Sequence, residues 1–279
     1  MAVTGLLAEA YDRQFRHPVT STHEQRIQNE LAYQSVQADK ERESIKRTPD
    51  ALVEQYRTCR NWRTHRVECV IRLLTMHQPQ HICDFGCGSG EMACRLGRMG
   101  YRVTGLDVSP ELIDLARERA KLDGVEDRVS FIVADGASAT LPKNEFDAVL
   151  AMSVIHHLPL EAGLDTLEGL LKPGGRIAFQ EPVAFLKGLQ WLRDRTPVEK
   201  DVSPDERQLS MKEIQRIHER FEVEEMHYYH LLTRLSRLMS YKQALATAPL
   251  LRWIDSALLI IPGVHKFSGA VVILGRKRG

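Results

Sequence analysis

The chain has 279 residues, 43% hydrophobic and 27% charged, which suits one large α/β domain with additions, or two small domains, able to bury a sizeable core. Lysine plus arginine (38) nearly cancels aspartate plus glutamate (37), excluding an overall polycationic footprint for nucleic acid. Five cysteines, odd in number and without a CxxC pair, fit buried reduced thiols better than a disulfide framework or a metal site.

The amino-terminal stretch lacks a basic segment followed by a long apolar one, and no apolar run reaches bilayer length, so a cytoplasmic protein without a transmembrane segment is expected. Ser21 with Glu24 makes a capping box for a helix running towards Lys46. Thr48-Pro49 then ends that helix and starts another, with proline at the first helical position. From Trp62 onward, Trp62, Cys69, Val70, Leu73 and Leu74 fall on one helical face. Residues 1–78 are therefore expected to form a helical cap, and residues 79–279 the core.

Beyond residue 79 short apolar strands alternate with helices. Strands are expected at Ile82–Phe85, Arg102–Asp107, Val129–Asp135, Asp147–Met152 and Arg176–Glu181, with a helix over Pro110–Leu122 capped by Ser109. This alternation predicts a doubly wound parallel sheet covered on both faces. "LKPGG", Leu171–Gly175, reads as a tight reversal before the fifth strand. Residues 185–240 read as a charged, substrate-side insertion, within which Ser210 and Glu213 open a helix. "FEVEEMHYYH" and "FSGAVVILGRK" are two late strands without a crossover helix directly between them, which suggests a mixed end to the sheet. "LLRWIDSALLIIPG", Leu250–Gly263, is read first as a core-facing helix before the last strand. Its other readings are a lining for a lipophilic acceptor and a contact with a membrane surface.

The densest run of small residues is "HICDFGCGSGE", His81–Glu91. A glycine-rich turn between strand and helix lets a ligand approach the backbone. The dinucleotide fingerprint is G-x-G-x-x-G, whereas here Gly86-x-Gly88-x-Gly90 is followed by Glu91, whose carboxylate would oppose a pyrophosphate. Asp107 ends the second strand, where a carboxylate can accept both hydroxyls of a ribose. Asp135 ends the third, placed to accept from an adenine amino group. Acids ending successive parallel strands line one crevice together with Asp84 and the glycine loop. After the fourth strand, His156 and His157 are candidate bases or substrate-orienting groups, or else a structural turn. Glu181 ends the fifth strand on the same crevice. In "HYYH", His227–His230, alternate side chains must face opposite sides, so at most half can reach one site; packing is the first reading, with Tyr228 and His230 the candidates for an acceptor.

"DFGCGSG", "GLDVSPELIDLARERA", "VADGASATLP", "FDAVLAMSVIHHL" and "LKPGGRIAF" resemble the successive motifs of class I S-adenosylmethionine-dependent methyltransferases. The likeness covers residues 80–182 and is closest to the small-molecule branch that includes ubiquinone and menaquinone methyltransferases. It implies a seven-stranded sheet in the order 3-2-1-4-5-7-6 with strand 7 antiparallel, and S-adenosyl-L-methionine as cofactor. In that resemblance Asp84, Gly86, Gly88 and Gly90 surround the methionine part, Asp107 binds the ribose and Val108 lies against the adenine. Asp135 and Gly136 sit at the adenine edge, Met152 closes the pocket beneath the sulfonium, and Tyr11 folds over the cofactor.

The activity so implied is in-line methyl transfer to a small organic acceptor, lipophilic in one version, without a metal. Two rivals are an RNA or DNA methyltransferase on the same fold and a non-catalytic cofactor-binding protein. The first lacks its expected motif: "AMSVIHH" stands where base-amino methyltransferases carry an acid or Asn before Pro-Pro-aromatic. The second stays open, because catalysis by alignment leaves no obligatory side chain to find. A dinucleotide oxidoreductase is disfavoured by Glu91.

Overall fold

The computed structural model describes residues 23–137, 141–186 and 208–278. Among the described residues three helices come first: α1 (His23–Arg42), α2 (Asp50–Thr58) and α3 (Arg66–Thr75). An alternating series follows: β1 (His81–Phe85), α4 (Glu91–Arg98), β2 (Arg102–Asp107), α5 (Pro110–Asp123), β3 (Val129–Val133), β4 (Phe146–Met152), α6 (Leu160–Leu170) and β5 (Leu171–Pro182). The chain closes with α7 (Met211–Arg220), β6 (Phe221–Tyr229), α8 (Tyr241–Leu258) and β7 (Ala270–Lys277).

The seven strands form one sheet in the order β3-β2-β1-β4-β5-β7-β6. Only β7 runs antiparallel to its neighbours β5 and β6, so the order and direction implied by the motifs hold. All five residues of β1 are buried, as a central strand covered on both faces requires. Alternate residues feed two cores. Ile82, Ala148, Ala178 and Val272 pack with α3, α4 and α5, whereas Cys83, Val149, Ile177, Phe179 and Ile273 pack with α6 and α7. Each fully buried side chain such as Leu150 or Phe179 contributes about 1.5–3 kcal/mol relative to exposure.

Local signals place the helix starts. Ser109 Oγ accepts from Leu112 N at 3.3 Å with Pro110 in the first turn, and Ser210 with Glu213 forms a reciprocal capping box at α7. Pro49 stands one position earlier than expected, as the cap of α2 rather than its first residue. The first helix ends at Arg42, short of Lys46, and Ser21 lies outside the described residues. Cys69, Val70, Leu73 and Leu74 of α3 are part of the main core rather than of a detached layer.

Four further differences have physical causes. "LKPGG" does not precede the fifth strand but lies inside it: Phe146 pairs with Leu171 and Ala148 with Arg176, and the extra residues bulge out with Gly174 at φ +71°. The third strand stops at Val133, because its partner β2 ends at Asp107 and leaves nothing to pair with Asp135. The segment read as an insertion supplies α7 and the outer strand β6. Finally, α8 is not core-facing: of its eighteen residues only Asp255 is buried.

The amino edge of the sheet is held by Asp147, which accepts from Gln80 N (3.1 Å), His81 N (2.8 Å) and Lys172 Nζ (2.6 Å). At the opposite, carboxyl edge β1 to β5 end, β6 ends and β7 begins. The segment 230–269 joining β6 to β7 therefore starts and finishes on that same edge.

Candidate cofactor site

The strand order reverses between β1 and β4, and in open α/β sheets ligands bind at that point, outside the carboxyl ends of the strands. A pocket of about 160 Å³ lies there. The amides of Gly86 and Cys87 both donate to Leu106 O, at 2.8 and 2.9 Å, which folds the glycine loop over β2. The three glycines answer different demands. A Cβ on Gly86 (φ +72°) would stand 2.4 Å from Val154 Cγ2, and one on Gly90 (φ +74°) 2.7 Å from Ala116 Cβ. Around Gly88 (φ +52°) there is nothing within 4 Å, so this glycine alone leaves open space for a ligand. Gly136 is required by the 2.6 Å approach its Cβ would make to Phe85 Cζ. Glu91 opens α4 and pairs with Arg95 at 2.7 Å.

Of the residues expected to hold the cofactor, Gly86, Gly88, Asp107, Val108, Asp135 and Gly136 line the pocket. Asp107 accepts from Gly88 N through Oδ2 (2.8 Å) and from Ser109 N through Oδ1 (3.0 Å). Those bonds lock the carboxylate and leave each oxygen a lone pair for a vicinal diol. Burial still pushes its pKa above the usual range. Asp135 is tied to Ala137 N at 2.9 Å.

Asp84 does not itself line the pocket; it is 3% exposed, and its Oδ2 is a buried oxygen without a hydrogen-bond partner among the described residues. Burial pushes its pKa up to about 7; a bond from Ala93 N–H opposes the shift and the Asp107 charge adds to it. A buried acceptor of this kind calls for a cationic donor, and the ammonium of a methionine moiety is one. The orphaned carboxylate of Asp84, an open glycine, an Asp107 whose oxygens keep lone pairs to offer and a slot beside Val108, Asp135 and Gly136 together fit S-adenosylmethionine.

Several expected residues stand elsewhere. Met152 packs against the core and does not line the pocket; Ser153 and Val154 form the wall in its place. Ser153 has φ +54°, a left-handed conformation secured by Ser153 N to Gln180 O (2.7 Å) and Gln180 Nε2 to Ser153 Oγ (3.1 Å). Glu181 is 0% exposed and does not face the crevice. Its Oε1 accepts from Val154 N (3.0 Å) and Ile155 N (2.9 Å), and its Oε2 meets His156 Nδ1 at 2.7 Å. His156 is buried with it, so this pair braces the turn after β4. His157, whose ring is 4.1 Å from that of His156, lines the pocket. Gly90 serves helix packing. Tyr228 stacks on His265 (5.0 Å) and His230 meets Arg66 (3.1 Å); neither lines the pocket. Tyr11 lies outside the described residues.

The pocket also has a roof that sequence reasoning missed. Ile27, Glu30 and Gln34, spaced along one face of α1, close over it, and Glu30 Oε2 lies 3.5 Å from His157 Nδ1. Ion pairs to α5, Arg42–Glu118 and Glu41–Arg119 (3.7 Å), hold α1 there. Arg119 also donates to Ser89 O at 3.0 Å, linking roof and glycine loop.

Residues 83–179 match the family described as "Methyltransferase domain". A 27-O-demethylrifamycin SV methyltransferase from Amycolatopsis mediterranei is 34% identical over 108 residues, 38% of this chain and 40% of that protein. A ubiquinone biosynthesis O-methyltransferase from Methylocella silvestris is 43% identical over 98 residues, 34% of this chain and 36% of the relative. The chain thus spans about two fifths of the length of these curated relatives. In three dimensions the [4+2]-cyclase SpnF superposes with a TM-score of 0.56 at 21% identity, over 77% of this chain and 80% of that one. That likeness is one of fold. Among the described residues no helix is long and apolar enough to cross a membrane.

Proposed function

We propose that this chain, whose residues 83–179 match the family described as "Methyltransferase domain", transfers a methyl group from S-adenosylmethionine to a small organic acceptor. The observation that carries the reading is the convergence on one pocket of Gly88, Asp107, Asp135 and Gly136; the buried Asp84 precedes the lining residue Phe85 in β1. When bound, the cofactor supplies an electrophilic methyl group on a good leaving group. Asp107 fixes the ribose through its two preset oxygens, and Asp84 offers its orphaned oxygen to the ammonium. Ser153, Val154 and the α1 roof enclose the reacting end and exclude water, so that alignment provides much of the acceleration.

His157 is the titratable ring on the pocket wall and Glu30 its carboxylate partner. In this reading His157 takes the proton of an acceptor hydroxyl or amine, and Glu30 orients the ring. His156 and Glu181 act only through the turn they brace. A second reading, cofactor binding without methyl transfer, is favoured by one observation: a fold neighbour at TM-score 0.56 is named as a cyclase.

S-adenosylhomocysteine is expected to raise the melting temperature while NAD and NADP leave it unchanged. Asp107→Ala should weaken S-adenosylhomocysteine binding roughly a hundredfold, about 3 kcal/mol for two charge-assisted hydrogen bonds. Stabilisation by a dinucleotide alone would overturn the assignment. Transfer of a labelled methyl group to any component of a metabolite extract separates the first reading from the second.

A further inference from the structure

Helix α8 and the residues after it are apolar on the wrong side. Tyr241 (82% exposed), Leu245, Pro249 and Trp253 (65% exposed) succeed one another at intervals of four and so form one row, with Leu250 beside it. Ile260 (81% exposed), Ile261 and Phe267 continue the exposed apolar surface beyond the helix. Single exposed hydrophobics need no explanation, but a series of this size along one segment does.

The helix is not held by apolar burial. Asp255 is buried and accepts from Leu231 N (2.9 Å), Leu232 N (2.6 Å), Thr233 N (3.2 Å) and Thr233 Oγ1 (2.7 Å). One carboxylate thus clasps α8 to the turn after β6 and fixes which side faces outward. Within residues 241–267 the exposed charges all have one sign. Between residues 241 and 267 the only acid is that buried Asp255, whereas Lys242, Arg252 and Lys266 are exposed.

We propose that this surface docks on an anionic membrane. A row of Tyr, Leu and Trp interleaved with cations, and without an exposed acid, matches the interface between headgroups and acyl chains. A second copy meeting the same face about a two-fold axis would bring like charges together. The segment begins and ends on the sheet's carboxyl edge, so docking turns the pocket edge towards the lipid. The inference goes beyond the methyltransferase reading and does not depend on it.

The test is flotation of the full chain, without cofactor, with phosphatidylcholine vesicles that contain or lack phosphatidylglycerol. Binding to the anionic vesicles is expected, weakening with salt. Trp253→Ser combined with Ile260→Ser should lower the bound fraction roughly tenfold with an unchanged melting temperature. Lys242→Glu with Lys266→Glu should abolish the preference for phosphatidylglycerol. Absence of flotation with either vesicle, or flotation unaffected by the Trp253 and Ile260 changes, overturns the proposal. So does a wild-type dimer in sedimentation that those changes convert to a monomer, since a second copy would then cover the face.

Discussion

Asp84→Asn separates what the central carboxylate does for the fold from what it does for the ligand. The carboxyl is raised from 3.8 to about 7 by burial, so the folded state binds its proton more tightly than the unfolded chain does. Stability from this group is therefore greatest in acid and is lost as pH rises towards about 7, levelling off above it. About three pKa units correspond to roughly 4 kcal/mol at full ionisation, an upper bound. Asn keeps the shape and an acceptor for Ala93 N–H but carries no charge. Denaturant unfolding of the ligand-free variant should give a gain over wild type of about 2–4 kcal/mol near pH 8, shrinking towards pH 4. Calorimetry with S-adenosylhomocysteine should show the reverse order. Wild-type affinity falls roughly tenfold from about pH 8 to about pH 6, as the ionised fraction drops from about nine tenths to one tenth. The variant binds at least about tenfold more weakly at pH 8, with a shallower dependence, because Asp107 is also raised by burial. A variant no more stable than wild type near pH 8, or a wild-type affinity flat across this range, would refute the reasoning.

Two further contrasts test how the pocket is built. Gly86→Ala places a methyl against Val154 in a left-handed backbone and should cost about 2–4 kcal/mol in denaturant. Gly88→Ala should cost only about 1 kcal/mol while reducing S-adenosylhomocysteine affinity, measured by calorimetry. Glu181→Ala strips three donors, two of them buried, of their acceptor and should lower stability by about 3 kcal/mol. His157→Ala should leave the melting temperature within a few degrees and reduce the rate of methyl transfer roughly a hundredfold; equal effects of the two changes on stability would remove the distinction between brace and base.

Much of this was legible because strands and acids follow short-range rules. The alternation of Ile82 and Cys83, the acids at the strand ends and the Ser109 and Ser210 caps each depend on a few neighbouring residues. The crevice side of "SVIHHL" was legible too, but not which imidazole enters it, since a single 3₁₀ turn decides that His157 faces the pocket and His156 meets Glu181. Ser153 at positive φ carries no residue-type signal, unlike a glycine. Helix α8 misled for a related reason. Apolar residues line both its sides, and the deciding contact is a carboxylate bonding to amides more than twenty residues away. Periodicity shows that a helix has an apolar side and says nothing of where a long-range polar clasp will turn it.

Asp147 gives the sheet an electrostatic polarity. At the amino edge burial tends to raise its pKa, but the bonds from Lys172 and the His81 and Gln80 amides outweigh that, and it stays ionised below the usual range. At the carboxyl edge Asp84 and Asp107 are shifted the other way. Acid near pH 7 therefore begins to neutralise Asp84 at the carboxyl edge while Asp147 at the amino edge keeps its charge. If Asp84 holds a cationic ligand as proposed, its affinity should fall at a pH where Asp147 still braces the amino edge of the sheet.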